Sequence, residues 1–248
     1  MAVRRQENLL TGGNARRNHV RCPRTEDRCE SNLMKSQDIV VLLKLVSLEL
    51  AGQRLRNLLQ GSLAEPFDWA GWEVSAQDEP EVDPALTDAD THSERYSVRG
   101  LSASLGISKT EVSASLRRSV DVGLVRKERH SGLLRTNTKA LMDILEHAVK
   151  YVFPARPGAL GRGIPTAFAA PVLADELRSA GDTIYVWPYA RGSRMGQTIT
   201  PLFKTVPVAV QSDPDLYAML ALVDAIRLGN PRERSLAVER LTQLISVQ

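Results

Sequence analysis

Residues 96–136 read YSVRGLSASLGISKTEVSASLRRSVDVGLVRKERHSGLLRT, and this run of two short helical patterns, a tight turn and two strands around a glycine constrains the chain more than any other part of it. Ser97 can cap a helix whose apolar positions are Val98, Leu101 and Leu105, and Gly106 can take the left-handed conformation that ends it. Ile107 anchors the turn. Ser108 begins a second helix with Glu111 three residues on, the spacing of a capping box. Val112, Leu116 and Val120 are predicted to face inward. Gly123 lets the chain reverse, Leu124 and Val125 enter the core, and residues 126–135 form two strands about the turn His130-Ser131-Gly132.

That inward face leaves Lys109, Thr110, Ser113, Ala114 and Arg117 on the outer side near the start of the second helix. Side chains there can meet base edges in a DNA major groove: Lys109 and Arg117 reach guanine acceptors or phosphates, Thr110 and Ser113 make shorter hydrogen bonds, and Ala114 can touch a thymine methyl. With Ser108 and Arg118 from the same helix, and Arg126, Lys127, Arg129, His130 and Arg135 from the strands, they form the candidate DNA-binding set. His130 has no second ligand beside it, so it reads as a turn residue and not as a metal ligand.

The leading helix, the turn Leu105-Gly106-Ile107-Ser108, Val112-Ser113 in the second helix, the run Gly123-Leu124-Val125 and the basic strand pair resemble MarR-type winged-helix regulators. The resemblance covers about forty residues. It implies a winged helix-turn-helix with helix 109–120 in the major groove and wing 126–135 on the backbone or minor groove, and double-stranded DNA as partner. The rest of the chain does not match that family, so its ligand pockets are not carried over.

The net charge of +3 over 248 residues hides a division that supports this reading. Residues 95–163 hold thirteen basic and five acidic side chains, whereas residues 64–94 hold ten acids and no lysine or arginine. A basic module joined to an acidic solvated segment suits a nucleic-acid-binding protein. The acidic stretch, with Trp69 and Trp72 near its start, is predicted to be a flexible insertion at about 61–94. Residues 1–33 are arginine-rich, without hydrophobic periodicity, and are predicted to be a disordered leader. Met34-Lys35-Ser36-Gln37 reads as a natural bacterial start, which places translation initiation at Met34; a basic DNA-binding arm is the alternative.

Ser36 is a candidate cap for a helix in which Ile39, Leu43, Val46 and Leu50 repeat at helical spacing while Val41, Leu42, Leu45 and Leu48 make the other faces apolar. Such a helix is buried on two sides, by a partner subunit or by two parts of one chain. The first option is favoured, giving a homodimer. Its apolar run is broken by Lys44 and Glu49, too early to span a membrane. Cys22 and Cys29 lie together in the leader and support neither a disulfide scaffold nor a zinc site, which points to a reducing, cytoplasmic and nucleoid-associated setting.

Beyond the strands, Thr136 or Asn137 caps a helix to about Val152. The glycines and prolines of PARPGALGRGIPTAFAAP predict a loop. A short helix over 171–180, strands over 183–187 and 198–203, and a basic loop with Arg191 and Arg194 between them predict a small mixed subdomain; those arginines could meet an acidic partner, a phosphate-bearing ligand or more DNA backbone. Asp213-Pro214 and Gly229-Asn230-Pro231 open the two helices of a hairpin.

The predicted fold is α+β, mainly α: a winged-helix domain over 34–152 and a C-terminal subdomain over 153–248 for dimerisation or partner binding. The four histidines are scattered, and no metalloprotease, nucleophile-elbow or phosphate-loop motif occurs, so neither catalytic residues, metal nor cofactor are predicted. The function expected is a dimeric, sequence-specific transcriptional repressor. The alternative is an antitoxin-like or adaptor protein that joins DNA binding to protein binding through its C-terminal half.

Overall fold

Two helices that are apolar all round have to be enclosed by other elements, and in the computed structural model they form the centre of the molecule. The structure describes residues 33–59, 93–129, 132–174, 176 and 183–246, and the chain from Met34 to Gln248 is one compact unit that is mainly helical with small sheets. The leader before Leu33 and most of the acidic segment lie outside the described residues, as do His130 and Ser131.

The first central helix, α1 (Ser36–Leu59), starts one residue earlier than a Ser36 cap requires; the Asp38 carboxylate accepts from the Lys35 backbone N–H at 2.8 Å instead. Residues 37–50 are buried on every face. They are covered within the same chain, by α2 (Val98–Leu105), α3 (Lys109–Asp121), β2 (Leu134–Thr136) and the second central helix, α8 (Pro214–Leu228). Of the two ways to cover such a helix, this is the one within a single chain, so residues 37–50 leave no face for a partner and give no argument for a dimer.

Each buried leucine, isoleucine or valine of α1 contributes roughly 1.5–3 kcal/mol. The polar residues that interrupt the run are buried too, and they are tolerated because they are paired. Lys44 Nζ donates to Asp213 Oδ2 at 2.7 Å, and Glu49 accepts from the Thr136 N–H at 3.3 Å. Asp213 also caps α8, accepting from the Leu216 N–H at 2.9 Å with Pro214 in the first helical position.

α4 (Thr138–His147) is capped by Asn137 as its sequence predicts, and a break at Ala148 separates it from α5 (Val149–Val152). The following glycine-rich segment is not a loop. It forms β3 (Pro157–Thr166), whose C-terminal half pairs antiparallel with β4 (Tyr185–Pro188) and whose N-terminal half pairs antiparallel with β5 (Arg194–Ile199); β4 and β5 pair in parallel, closing a three-stranded barrel. The glycines are what closure requires. A Cβ on Gly163 would lie 2.0 Å from the Trp187 carbonyl oxygen, and one on Gly196 would lie 2.4 Å from that of Ile184. Density of glycine signalled close backbone approach here, not a turn. β5 starts earlier than the predicted strand over 198–203, so Arg194 belongs to the barrel and not to the loop before it.

The barrel is fastened to α8 by a buried carboxylate and by the Tyr217 hydroxyl, which donates to the Pro165 carbonyl at 2.8 Å. Asp224 Oδ2 accepts from Trp187 Nε1 at 2.6 Å and from Thr166 Oγ1 at 3.1 Å, and its other oxygen accepts from Arg227, whose Nε donates to the Phe153 carbonyl at 2.8 Å. Burial pushes the Asp224 carboxyl up, against the opposing pull of Arg227, Trp187 and Thr166. α6 (Pro171–Ala174) and α7 (Val206–Ala209) are single turns beside the barrel, and α9 (Pro231–Ser246) completes the hairpin through Ala237, Leu241 and Ile245. The core runs without a break through the segments 34–152 and 153–248, which share α1, α4 and α8.

Candidate nucleic-acid interface

Local chemistry fixes the helix pair α2 and α3. Ser97 Oγ accepts from the Gly100 N–H at 3.0 Å to start α2, and Gly106, at φ 63°, ends it. The turn is tied by Ser102 Oγ donating to the Ile107 carbonyl at 2.6 Å and by Thr205 Oγ1 donating to that of Leu105 at 2.6 Å. Gly106→Ala is therefore expected to cost about 1–2 kcal/mol, because the left-handed conformation strains any L side chain. The new methyl also meets Thr205 Cγ2 at 3.3 Å. Thermal denaturation of the variant reads this directly.

Ser108 Oγ accepts from the Glu111 N–H at 3.3 Å, so the first half of the predicted capping box is present. The Glu111 carboxylate is engaged elsewhere: it accepts from Gln37 and lies 3.7 Å from Lys35 Nζ at the start of α1. The Gln37 hydrogen bond and then Lys35 hold its pKa below the usual carboxylate value. Lys109, Thr110 and Arg117 are exposed, and Ser113 and Ala114 are half-buried beside them. Ser108 is exposed but spends its oxygen on the cap.

Two of the predicted contact residues are in a different place. Arg118 is buried against α1, where Nε and Nη2 donate to the two oxygens of Asp38 at 2.9 and 2.6 Å. It lies three residues after the buried Ser115, on the side of α3 turned to α1, and it anchors the helix instead of facing outward. Val120, expected inside, is 47% exposed at the far end.

Arg135 is also drawn inward. In the pair β1 (Val125–Lys127) and β2, Arg126 stands directly opposite Arg135, an arrangement that repels unless one charge is neutralised. Glu49 at 3.7 Å and Glu128 at 3.4 Å neutralise Arg135. Arg126, Lys127 and Arg129 remain exposed, and His130 lies outside the described residues. The strand pair is fixed to α1 by the Thr136 hydroxyl on the Leu42 carbonyl at 3.5 Å, and the Asn137 N–H on the Leu124 carbonyl at 2.8 Å extends the pairing beyond Val125 and Thr136.

Among the described residues, Arg99 on α2, Lys109 and Arg117 on α3, and Arg126, Lys127 and Arg129 are therefore the exposed cations of this succession that carry no ion pair. Arg56 from the end of α1 and Lys139 from the start of α4 join Arg126 and Arg135, with Glu49 and Glu128, around one cavity of about 750 Å³, a grouping invisible in the sequence because only folding brings these residues together. Among the described residues no three His, Cys, Asp or Glu side chains come together as a metal site, and no helix is long and apolar enough to cross a membrane. Comparison with protein-family models, with curated proteins and with solved structures finds no match to this chain.

Proposed function

We propose that the chain is a sequence-specific DNA-binding transcriptional regulator built on a winged helix-turn-helix, with α3 lying in the major groove and the β1–β2 wing on the flanking backbone or minor groove. The observation that carries this reading is the sorting of cations along the succession. Arg118 and Arg135 are paired internally, while Lys109 and Arg117 on α3 and Arg126, Lys127 and Arg129 on the strands are exposed and without ion pairs among the described residues. A helix whose early residues are short, polar and basic, beside a basic strand pair, is what groove reading needs.

The reading assigns no catalytic residue. It keeps repression as the mode of action, and a two-fold assembly is to be judged from the operator, since α1 no longer argues for one.

Selection of bound fragments from the source genome tests the proposal, and a palindrome among them supports a dimer. Lys109→Ala and Arg117→Ala are each expected to weaken binding to the selected sequence. If the lost contact is to a base, discrimination at one position falls by roughly 1–3 kcal/mol; if it is to a phosphate, the slope of log K against log salt flattens by about 0.9. Unchanged affinity in both variants for every selected fragment would sink the assignment.

A further inference from the structure

We propose that the β3–β5 ribbon is a second DNA-contacting element, gripping duplex outside the site read by α3; this rests on the DNA-binding reading above. The first observation is charge. Among the described residues of 153–212, Arg156, Arg162, Arg191, Arg194 and Lys204 stand against a single acid, Glu176, which is paired with Arg240; Asp175 and Asp182 of this stretch lie outside the described residues. A surface of one sign attracts a polyanion and repels basic partners.

The second observation is which side chains the ribbon turns outward. Arg162 stands opposite Met195 and Leu160 opposite Gln197, and side chains alternate across a strand, so these four share one face. Leu160 is 71% and Met195 63% exposed, and Arg162 is exposed between them. On the other face the middle of the ribbon is closed. There Gly161 lies opposite Gly196, and a Cβ on either would run into Thr198 Cγ2 or the Ile184 carbonyl oxygen. The barrel thus holds the ribbon rigid while its outer face keeps two large apolar side chains and an arginine in water.

Exposed apolar side chains beside an arginine on a strand pair match the chemistry of a duplex minor groove, where arginine meets the negative potential and the apolar groups lie against sugars or wedge a base step. A protein partner would call for acids as well as bases around the apolar pair, and the one described acid of residues 153–212, Glu176, is already paired with Arg240. Arg194, opposite Gly163, falls by the same alternation on the reverse side, exposed at the end of the ribbon, where it reaches a flanking phosphate and not the groove that Arg162 faces.

The test uses the full chain, fluorescein-labelled duplexes of increasing length that contain the selected site, and a random duplex. Arg162→Ala with Arg194→Ala is expected to leave the melting temperature unchanged, since both side chains are exposed. It should flatten the salt slope on long duplexes by nearly 2, at about 0.9 per phosphate contact, and leave the shortest duplex unaffected. Leu160→Ser with Met195→Ser should weaken long-duplex binding at equal salt slope.

In a Lys109→Ala, Arg117→Ala background, residual binding to the random duplex is expected to fall further when Arg162 and Arg194 are removed. That outcome supports the ribbon even if α3 turns out not to read sequence, so the two ideas fail separately. Equal affinity and salt slope for wild type and the Arg162/Arg194 variant on every duplex overturns the proposal. So does loss of binding to phosphatidylserine vesicles with DNA binding intact, which would make the same face a membrane contact.

Discussion

Replacing Asp224 with alanine is expected to be among the most damaging single substitutions in this chain, costing about 3–5 kcal/mol, the range seen when one partner of a buried ion pair is removed. The carboxylate is the acceptor for three donors at once. Without it Trp187 Nε1, Thr166 Oγ1 and the buried Arg227 guanidinium all lose a partner in a place water does not reach. Leaving a buried donor unsatisfied costs more than the bond itself contributes, which is why the loss exceeds that of an ordinary hydrogen bond. Asp224→Asn should be milder, because the amide oxygen can still accept from Trp187 while its charge is lost to Arg227. Urea denaturation of the two variants separates these cases, and equal stability of Asp224→Ala and wild type would contradict the bonding described.

A comparable loss is expected from Asp38→Ala, again about 3–5 kcal/mol, with a functional consequence that Asp224 does not have. The substitution leaves the Arg118 guanidinium, its side chain 8% exposed, facing α1 without its bidentate partner. Since that pair fixes α3 against the central helix, the DNA-binding function proposed above has the variant bind DNA more weakly although Asp38 is buried. Replacing both partners, Asp38→Leu with Arg118→Met, should recover much of the stability, because an apolar pair of similar volume escapes the desolvation cost that the ions carry. DNA affinity in that double variant is the informative reading: retention means Arg118 only positions the helix, as its burial implies, and does not reach DNA itself.

Much of the local architecture is legible without coordinates. Ser97, Ser108, Asn137 and Asp213 cap the helices that follow them, and Gly106 ends α2, because each of these acts on backbone groups within three residues. The exposed cations on α3 and β1 follow from the same short-range periodicity. Arg118 and Arg135 do not: as residue types they are indistinguishable from Arg117 and Arg126, and only the presence of Asp38, Glu49 and Glu128 across the fold turns them inward.

β3 escaped for a related reason. Its glycines carry a turn signal in one dimension and a close-packing signal in three, and the neighbours that decide between them, Trp187 and Thr198, lie more than twenty residues away. The apolar faces of α1 likewise stated that something must cover them and not what. The sequence by itself determined where the chain turns helical, where each helix begins, and which segments carry charge, since these depend on neighbours a few residues apart. Tertiary structure alone decided which arginines are anchors and which are free, that α1 is enclosed by its own chain, and that a glycine-rich run closes a barrel, because burial is set by contacts between residues far apart in the chain.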